Sequence, residues 1–499
     1  MGQLKKLAGH TALYGASSIV GRMLNYLLVP YYTTVFATEE YGVVTELYGY
    51  AAFFNVIYTY GLETAYFRFA TAGKENEGNV YNSAVTSIII TSLVLSSLLV
   101  LLATPITRLL DYHGMEHFVY WLAAIFAIDA VVAIPFAKLR LENKAKQFAM
   151  ARLVNISANI GLNLFFITFC GAVYKEEWQP FLKPYVELIY NPSFGVEYVF
   201  LSNLIANALL IILLWKPLSK VRIKVDWHLL KPMLTYGYPI LFTGLAYATN
   251  EMLSRIALKY WIPEELYPGY DNLQIVGVFG AVYKLSIFMT LAVQAFRYAA
   301  EPFFFSQAAN KNSPELFSKI MHWFIVFGCF ALLSVSINLD ILQYLLGRPD
   351  YRCGVDVVPI LLLANLLFGI YYNLSVWYKL TDRTYYGTWI TIAGAVITII
   401  LNYLFIPLYG FYGSAVVTLI AYGVMTMISY FLGRKYYPIP YATVKGMTYI
   451  LATCIITYLV MLVDFETQVL ATAFHIGIML AFGFVVFQLE KDNLPTKTV

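Results

Sequence analysis

Charge is what this chain has least of. Asp, Glu, Lys and Arg together make up 12% of its 499 residues, against 60% hydrophobic residues. Soluble domains carry about 25% charged residues, so this chain could not present a polar surface to water on all sides. That excludes a soluble globular protein and requires a membrane. Cysteine is scarce too: Cys170, Cys329 and Cys454 lie in apolar runs and Cys353 stands alone in a loop. No disulfide framework or thiolate metal site has that spacing. A G-x-x-x-x-G-K-[ST] phosphate loop is absent, which argues against nucleotide hydrolysis. No hydrolase or transferase constellation stands out either. His113-Gly114-Met115-Glu116-His117 spells H-x-x-E-H, the inverted zinc-protease pattern. It sits in a short loop containing Gly114 and has no evident third ligand, so zinc is not expected.

Apolar runs of about bilayer length fill the chain instead. They read as Thr11 to Phe36, Tyr41 to Ala65, Tyr81 to Ala103, Phe118 to Ala137, Phe148 to Cys170, Glu197 to Trp215, Met233 to Tyr260, Gln274 to Ala300, Phe317 to Leu339, Val355 to Tyr378, Tyr385 to Ile406, Phe411 to Leu432, Thr443 to Val463 and Thr467 to Gln488. The expected fold class is therefore an all-α polytopic membrane protein with about 14 transmembrane helices. The first run contains Arg22 and Asn25 and lacks a small-residue cleavage site, so it reads as a span and not a cleaved signal peptide. Alternate loops sort by charge. One set holds clusters such as Lys138, Arg140, Lys144 and Lys146, or Lys216, Lys220, Arg222, Lys224 and Lys231; the other has only Arg108, Lys175, Lys183, Lys259, Arg348 and Arg352. Lys/Arg bias marks the cytoplasmic side, which places both termini inside. Topology accounts for the basic clusters without nucleic acid.

A weak internal repeat organises the spans. Lys138-Leu139 followed by Leu162-Asn163-Leu164-Phe165-Phe166-Ile167 is matched by Lys379-Leu380 followed by Leu401-Asn402-Tyr403-Leu404-Phe405-Ile406. Tyr14-Gly15 and Tyr236-Gly237 open spans one and seven alike. Six spans separate the copies, so they share an orientation. The expected organisation is two six-helix lobes in parallel pseudo-repeat: residues 1–215 as the first, a cytoplasmic linker at 216–232, and 233–433 as the second. Two further spans and a tail fill 434–499. The substrate path of such a duplicated bundle is expected between its halves.

Basic residues inside the apolar runs are the strongest functional signal, because a charge near the bilayer centre costs at least about 2.5–3.5 kcal/mol. They are Arg22, Arg152, Arg255, Lys284 and Arg297. Arg22 and Lys284 lie roughly 15 Å from a span end, near mid-membrane. Neither has an acidic partner at helical spacing, so both are expected to meet an anion. Arg255 has Glu251 four residues before it and Arg297 has Glu301 four residues after it, spacings that allow each pair to meet on one helix face. Arg152 reads as the inner-interface end of span five, and Glu63 with Arg68 as interfacial. Glu46, Asp129, Glu251 and Glu301 are the candidates for ion coupling or charge pairing.

Several stretches resemble one family. Gly21-Arg22-Met23-Leu24-Asn25, Pro30-Tyr31-Tyr32-Thr33 and Glu39-Glu40-Tyr41-Gly42 resemble the opening of polysaccharide-exporter, Wzx-like flippases of the multidrug/oligosaccharidyl-lipid/polysaccharide (MOP) superfamily. Tyr236-Gly237-Tyr238-Pro239, Ala295-Phe296-Arg297-Tyr298-Ala299-Ala300-Glu301-Pro302-Phe303-Phe304-Phe305 and Tyr409-Gly410-Phe411-Tyr412-Gly413-Ser414 resemble it too. The resemblance implies flipping of an undecaprenyl-diphosphate-linked oligosaccharide, the repeat unit of an O-antigen, capsule or exopolysaccharide, across the bacterial inner membrane. It further implies a cavity lined by spans one, two, seven and eight, with a polysaccharide polymerase and chain-length proteins as partners. Ser254-Arg255 stands where many relatives have Asp-Arg.

On this reading Arg22, Arg255, Lys284 and Arg297 hold the diphosphate, because guanidinium grips phosphate bidentately and ammonium acts as a point charge. No cofactor is expected; coupling to H+ or Na+ would run through Asp129, Glu251 or Glu301. The alternatives are a peptidoglycan-precursor flippase, a drug antiporter, which would favour an acidic or apolar cavity, and more remotely a membrane glycosyltransferase or polymerase.

Overall fold

The computed structural model describes residues 20–21, 23–24, 26–71, 77–307 and 313–491, with no strand among them. After a helical stretch at 26–35 the main helices are α1 (Thr38–Thr59), α2 (Leu62–Thr71), α3 (Glu77–Leu101), α4 (Glu116–Leu141), α5 (Ala145–Asn163), α6 (Glu197–Leu213), α7 (Trp227–Trp261), α8 (Asn272–Leu285), α9 (Ile287–Gln307), α10 (Ser313–Ile337), α11 (Val358–Leu374), α12 (Tyr385–Tyr436), α13 (Thr443–Met461) and α14 (Gln468–Glu490). Every span expected from Tyr41 onward falls on a helix. Among the described residues eight helices are long and apolar enough to cross a bilayer alone, and α8 with α9 adds a ninth as a bent pair. The protein is thus a multi-pass, all-α membrane protein. The 52-residue α12 is two spans joined across a kink at Gly410, whose φ of 55° and ψ of −132° only glycine adopts easily.

Three boundaries differ from the sequence reading. Span two stops at Thr59, because Tyr60 (φ 34°) and Gly61 (φ 76°) turn left-handed before α2 begins. Span eight is broken at Ser286, where the chain bends by 48°. Helix α7 starts at Trp227, inside the stretch expected to be a linker, and its 35 residues reach about 50 Å, well beyond a hydrocarbon core of about 30 Å.

The chain divides into two compact units, one of Met1–Tyr260 with Gly269–Gly277 and one of Trp261–Pro268 with Val278–Val499. Within the first, glycines let α1 and α7 run against each other. A Cβ on Gly49 would lie 3.0 Å from Ile256, one on Gly244 2.7 Å from Val56, and one on Gly61 2.6 Å from the Gly237 carbonyl. Partner numbers fall as α1 advances, the mark of an antiparallel seam held by small residues.

Each unit also carries one copy of the repeated asparagine. Asn163 in the first unit and Asn402 in the second are fully buried. Asn163 donates to the Asn159 carbonyl at 2.8 Å and accepts the Tyr32 hydroxyl at 2.9 Å. Asn402 donates to the Thr398 carbonyl at 2.8 Å and accepts the Ser414 hydroxyl at 3.1 Å. The two asparagines satisfy their buried amides in the same way.

Candidate functional site

In the first unit the most enclosed charge is Glu46 on α1, with no exposed surface. Its Oε2 accepts the Tyr112 hydroxyl at 2.5 Å and the Lys259 ammonium at 3.0 Å. Its Oε1 accepts from Tyr260 at 3.1 Å and from Tyr50 and Lys259 at 3.3 Å. Lys259 also donates to the Leu110 carbonyl at 2.6 Å and lies 4.4 Å from the Tyr112 ring centre. Burial, then the Glu46 charge, pushes the Tyr112 hydroxyl far above its usual range, so it remains a donor. A buried ion pair is tolerable when its remaining lone pairs are hydrogen-bonded, and here they are. The sequence reading singled out Glu46 but counted Lys259 as an outer-loop charge. A partner 213 residues away leaves no local signal; only Tyr50, one turn on, was in reach.

Arg255 lies one turn before Lys259 on α7, and Glu251 one turn before that, so the three share a stripe. Arg255 is 7% exposed, its Nη1 2.9 Å from the Met252 sulfur, and it interacts electrostatically with Tyr41. Glu251 is half-buried. Asp129 on α4 and Arg152 on α5, outliers in sequence, interact electrostatically with each other. The Arg152 guanidinium lies 4.2 Å from the Phe136 ring centre. Glu63 pairs with Arg140, and Arg68 lies 4.2 Å over the Tyr236 ring. Arg22 and the side chain of Glu301 lie outside the described residues.

The second unit holds Lys284 and Arg297 on the two arms of the broken helix. Lys284 is half-buried in the last turn of α8, where carbonyl dipoles favour a cation. At the break, the Ser286 amide bonds back to the Tyr283 carbonyl at 3.1 Å and its hydroxyl donates to the same oxygen at 2.7 Å. The ladder is thereby shortened from four residues to three, which tightens and ends the helix. Asn365 on α11 steadies the break with a 3.3 Å donation to Ser286 Oγ. Two residues after Lys284 is thus a polar hinge that the apolar pattern did not announce. Further along α9, Arg297 donates to the Tyr372 hydroxyl at 3.1 Å. It lines a narrow recess of about 20 Å³ with Phe296, Phe304, Tyr372 and Lys379. In the sequence Lys379 figures in the repeat match Lys379-Leu380.

Solved structures identify this arrangement of helices. An inward-facing multidrug resistance MATE family transporter of the MOP superfamily superposes with a TM-score of 0.60 at 14% identity, over 85% of this chain and 94% of its own. The chain shares the fold of this transporter. Lipid II flippase MurJ, in an inward closed conformation, superposes with a TM-score of 0.68 at 14% identity, over 95% of this chain and 99% of its own. The Vibrio cholerae MATE transporter VcmN gives 0.58 at 13% identity, over 86% and 96%. In sequence, residues 35–174 match the family described as polysaccharide biosynthesis protein, in line with the polysaccharide-exporter resemblance. That stretch carries Glu46, Asp129 and Arg152. No curated protein matches the sequence.

Proposed function

We propose that the chain is a flippase that moves an undecaprenyl-diphosphate-linked oligosaccharide across the bacterial inner membrane by alternating access. The observation that carries the reading is the broken helix of the second unit, with Lys284 beside the break. Discontinuous helices near mid-membrane are where transporters commonly hold charged substrate groups. A diphosphate head cannot cross hydrocarbon unaided, whereas a prenyl tail can stay in lipid. Arg22, Arg255 and Lys284 are each candidates for diphosphate contact, and Arg297 with Lys379 for its entry at the inner end. The match of residues 35–174 to polysaccharide biosynthesis proteins supports a glycan cargo. Both termini are cytoplasmic, and the carrier works beside a polysaccharide polymerase and chain-length proteins. An H+ or Na+ gradient drives the cycle through Asp129, Glu251 or Glu301.

The test is flipping of a defined undecaprenyl-diphosphate oligosaccharide by reconstituted protein. One lost charge-assisted phosphate contact is worth about 1.5–3 kcal/mol, so Lys284→Gln and Arg22→Gln should each slow flipping at least about tenfold. Wild-type rates in both variants sink the reading. A second cargo, the peptidoglycan precursor, has its own support. MurJ is matched over 95% of this chain and the MATE transporters over 85–86%, a difference about the size of α13 plus α14. Lipid II belongs in the same assay as a competing substrate.

A further inference from the structure

A cleft in the second unit, apart from every residue assigned above, has a composition unlike the rest of the chain. It measures about 390 Å³ and lies where α10, α13 and α14 end or begin, at the end the loop charges place outside. Asp340, Asp356 and Asp464 line it, and no Lys or Arg does. Asp356 and Asp464 are exposed to solvent. Asp340 is held in place by Gln468, which donates to it at 2.6 Å. Two buried polar side chains also face the cleft. His475 is 5% exposed, and its Nδ1 has no hydrogen-bond partner; Asp340 Oδ1 lies 3.8 Å away, too far for one. Ser336 is 1% exposed, and its Oγ has none either. Buried polar atoms are almost always paired, so two orphans lining one cleft point to something that enters it.

Three carboxylates, two unsatisfied polar atoms and no basic side chain reject anions and favour a cation that can donate several hydrogen bonds. The described residues offer no cluster of His, Cys, Asp or Glu close enough to hold a metal ion. The carboxylates are dispersed around a cleft several times the size of a water cluster. We propose that this cleft binds a protonated amine, its N–H groups donating to the carboxylates and to His475 Nδ1. Such an amine could come from an amino sugar of a glycan on the outer face or from a free polyamine. The site uses none of the cationic residues of the flippase reading and can be measured with free ligands whether or not the protein flips lipid.

The experiment is calorimetric titration of the full-length protein in detergent with a glucosamine tetrasaccharide, its fully N-acetylated counterpart and spermidine. The free-amine tetrasaccharide should bind, and acetylation, which removes the charge, should weaken it at least tenfold. Asp464 is exposed, so Asp464→Asn keeps the fold and should weaken binding by about threefold or more. Asp340→Asn with Asp464→Asn should weaken it further. Binding of spermidine alone, with the same dependence on Asp464, upholds the amine site and assigns it to a polyamine. Equal binding of the acetylated and free sugars, indifference to Asp464→Asn, or no binding of any amine overturns the proposal. Amine binding with no flipping would sink the flippase reading alone.

Discussion

The charged sites singled out in the two units, Glu46 in the first and Lys284 with Arg297 in the second, are built differently. In the first, Glu46 is sealed among Tyr50, Tyr112, Lys259 and Tyr260, and both carboxylate oxygens are engaged. In the second, Lys284 sits beside a helix break, and Arg297 lines an open recess. A closed network satisfies itself and leaves nothing for a ligand. A cation at a discontinuity stands where the helix's own ladder is interrupted. The difference teaches that burial alone does not mark a substrate site. What matters is whether the neighbours already complete the hydrogen bonding.

The largest expected effect comes from opening the closed network. Glu46→Gln removes the counter-charge of Lys259, whose side chain is only 10% exposed. Breaking such a pair from one side costs about 3–5 kcal/mol. The unfolding temperature in detergent should fall sharply, and Glu46→Gln with Lys259→Met should recover much of the loss. Lys284→Gln should instead leave unfolding within about 1 kcal/mol and act on flipping. If the two variants destabilise equally, the contrast between the units fails.

A smaller effect is expected at the seam that holds this network's helices together. Gly61→Ala puts a Cβ on a residue with φ 76° and within 2.6 Å of the Gly237 carbonyl. Left-handed strain in a non-glycine residue costs about 1–2 kcal/mol before the clash is counted. Thermal unfolding should register about 2–3 kcal/mol in total. The same change at Gly114, also left-handed but with nothing within 4 Å, should register only the strain. Equal losses at the two glycines would show that the α1–α7 contact contributes little.

Much of this was legible in the sequence because bilayer physics writes it plainly. Runs of apolar length set the spans. The breaks were not legible. Ser286 and Gly61 are single small residues inside apolar runs, and their effect depends on Asn365 and Gly237, which lie far off in the chain. The Glu46–Lys259 pair was missed for the same reason: helical spacing exposes partners three or four residues apart and is silent about partners on other helices. Lys284 stood out because nothing local could neutralise it. Its position beside a hinge needed the fold.

The smallest effect tests how the closed network shares its load. Tyr112→Phe removes one donor to Glu46 and keeps the ring that Lys259 packs against. A hydrogen bond to a charged group contributes about 1.5–3 kcal/mol, but Lys259, Tyr50 and Tyr260 remain on the carboxylate, so the cost should fall near the lower end. The Tyr112 hydroxyl has its proton affinity raised by burial and by Glu46. A raised value means the contribution is fully present below the unfolded tyrosine pKa of about 10 and is lost as pH climbs above it. Wild type and Tyr112→Phe should therefore differ by a constant amount from pH 6 to pH 9 and converge at higher pH. A gap that narrows below pH 9 would mean the Tyr112 hydroxyl is not held as a donor, and Glu46 would then be less completely closed than its geometry indicates.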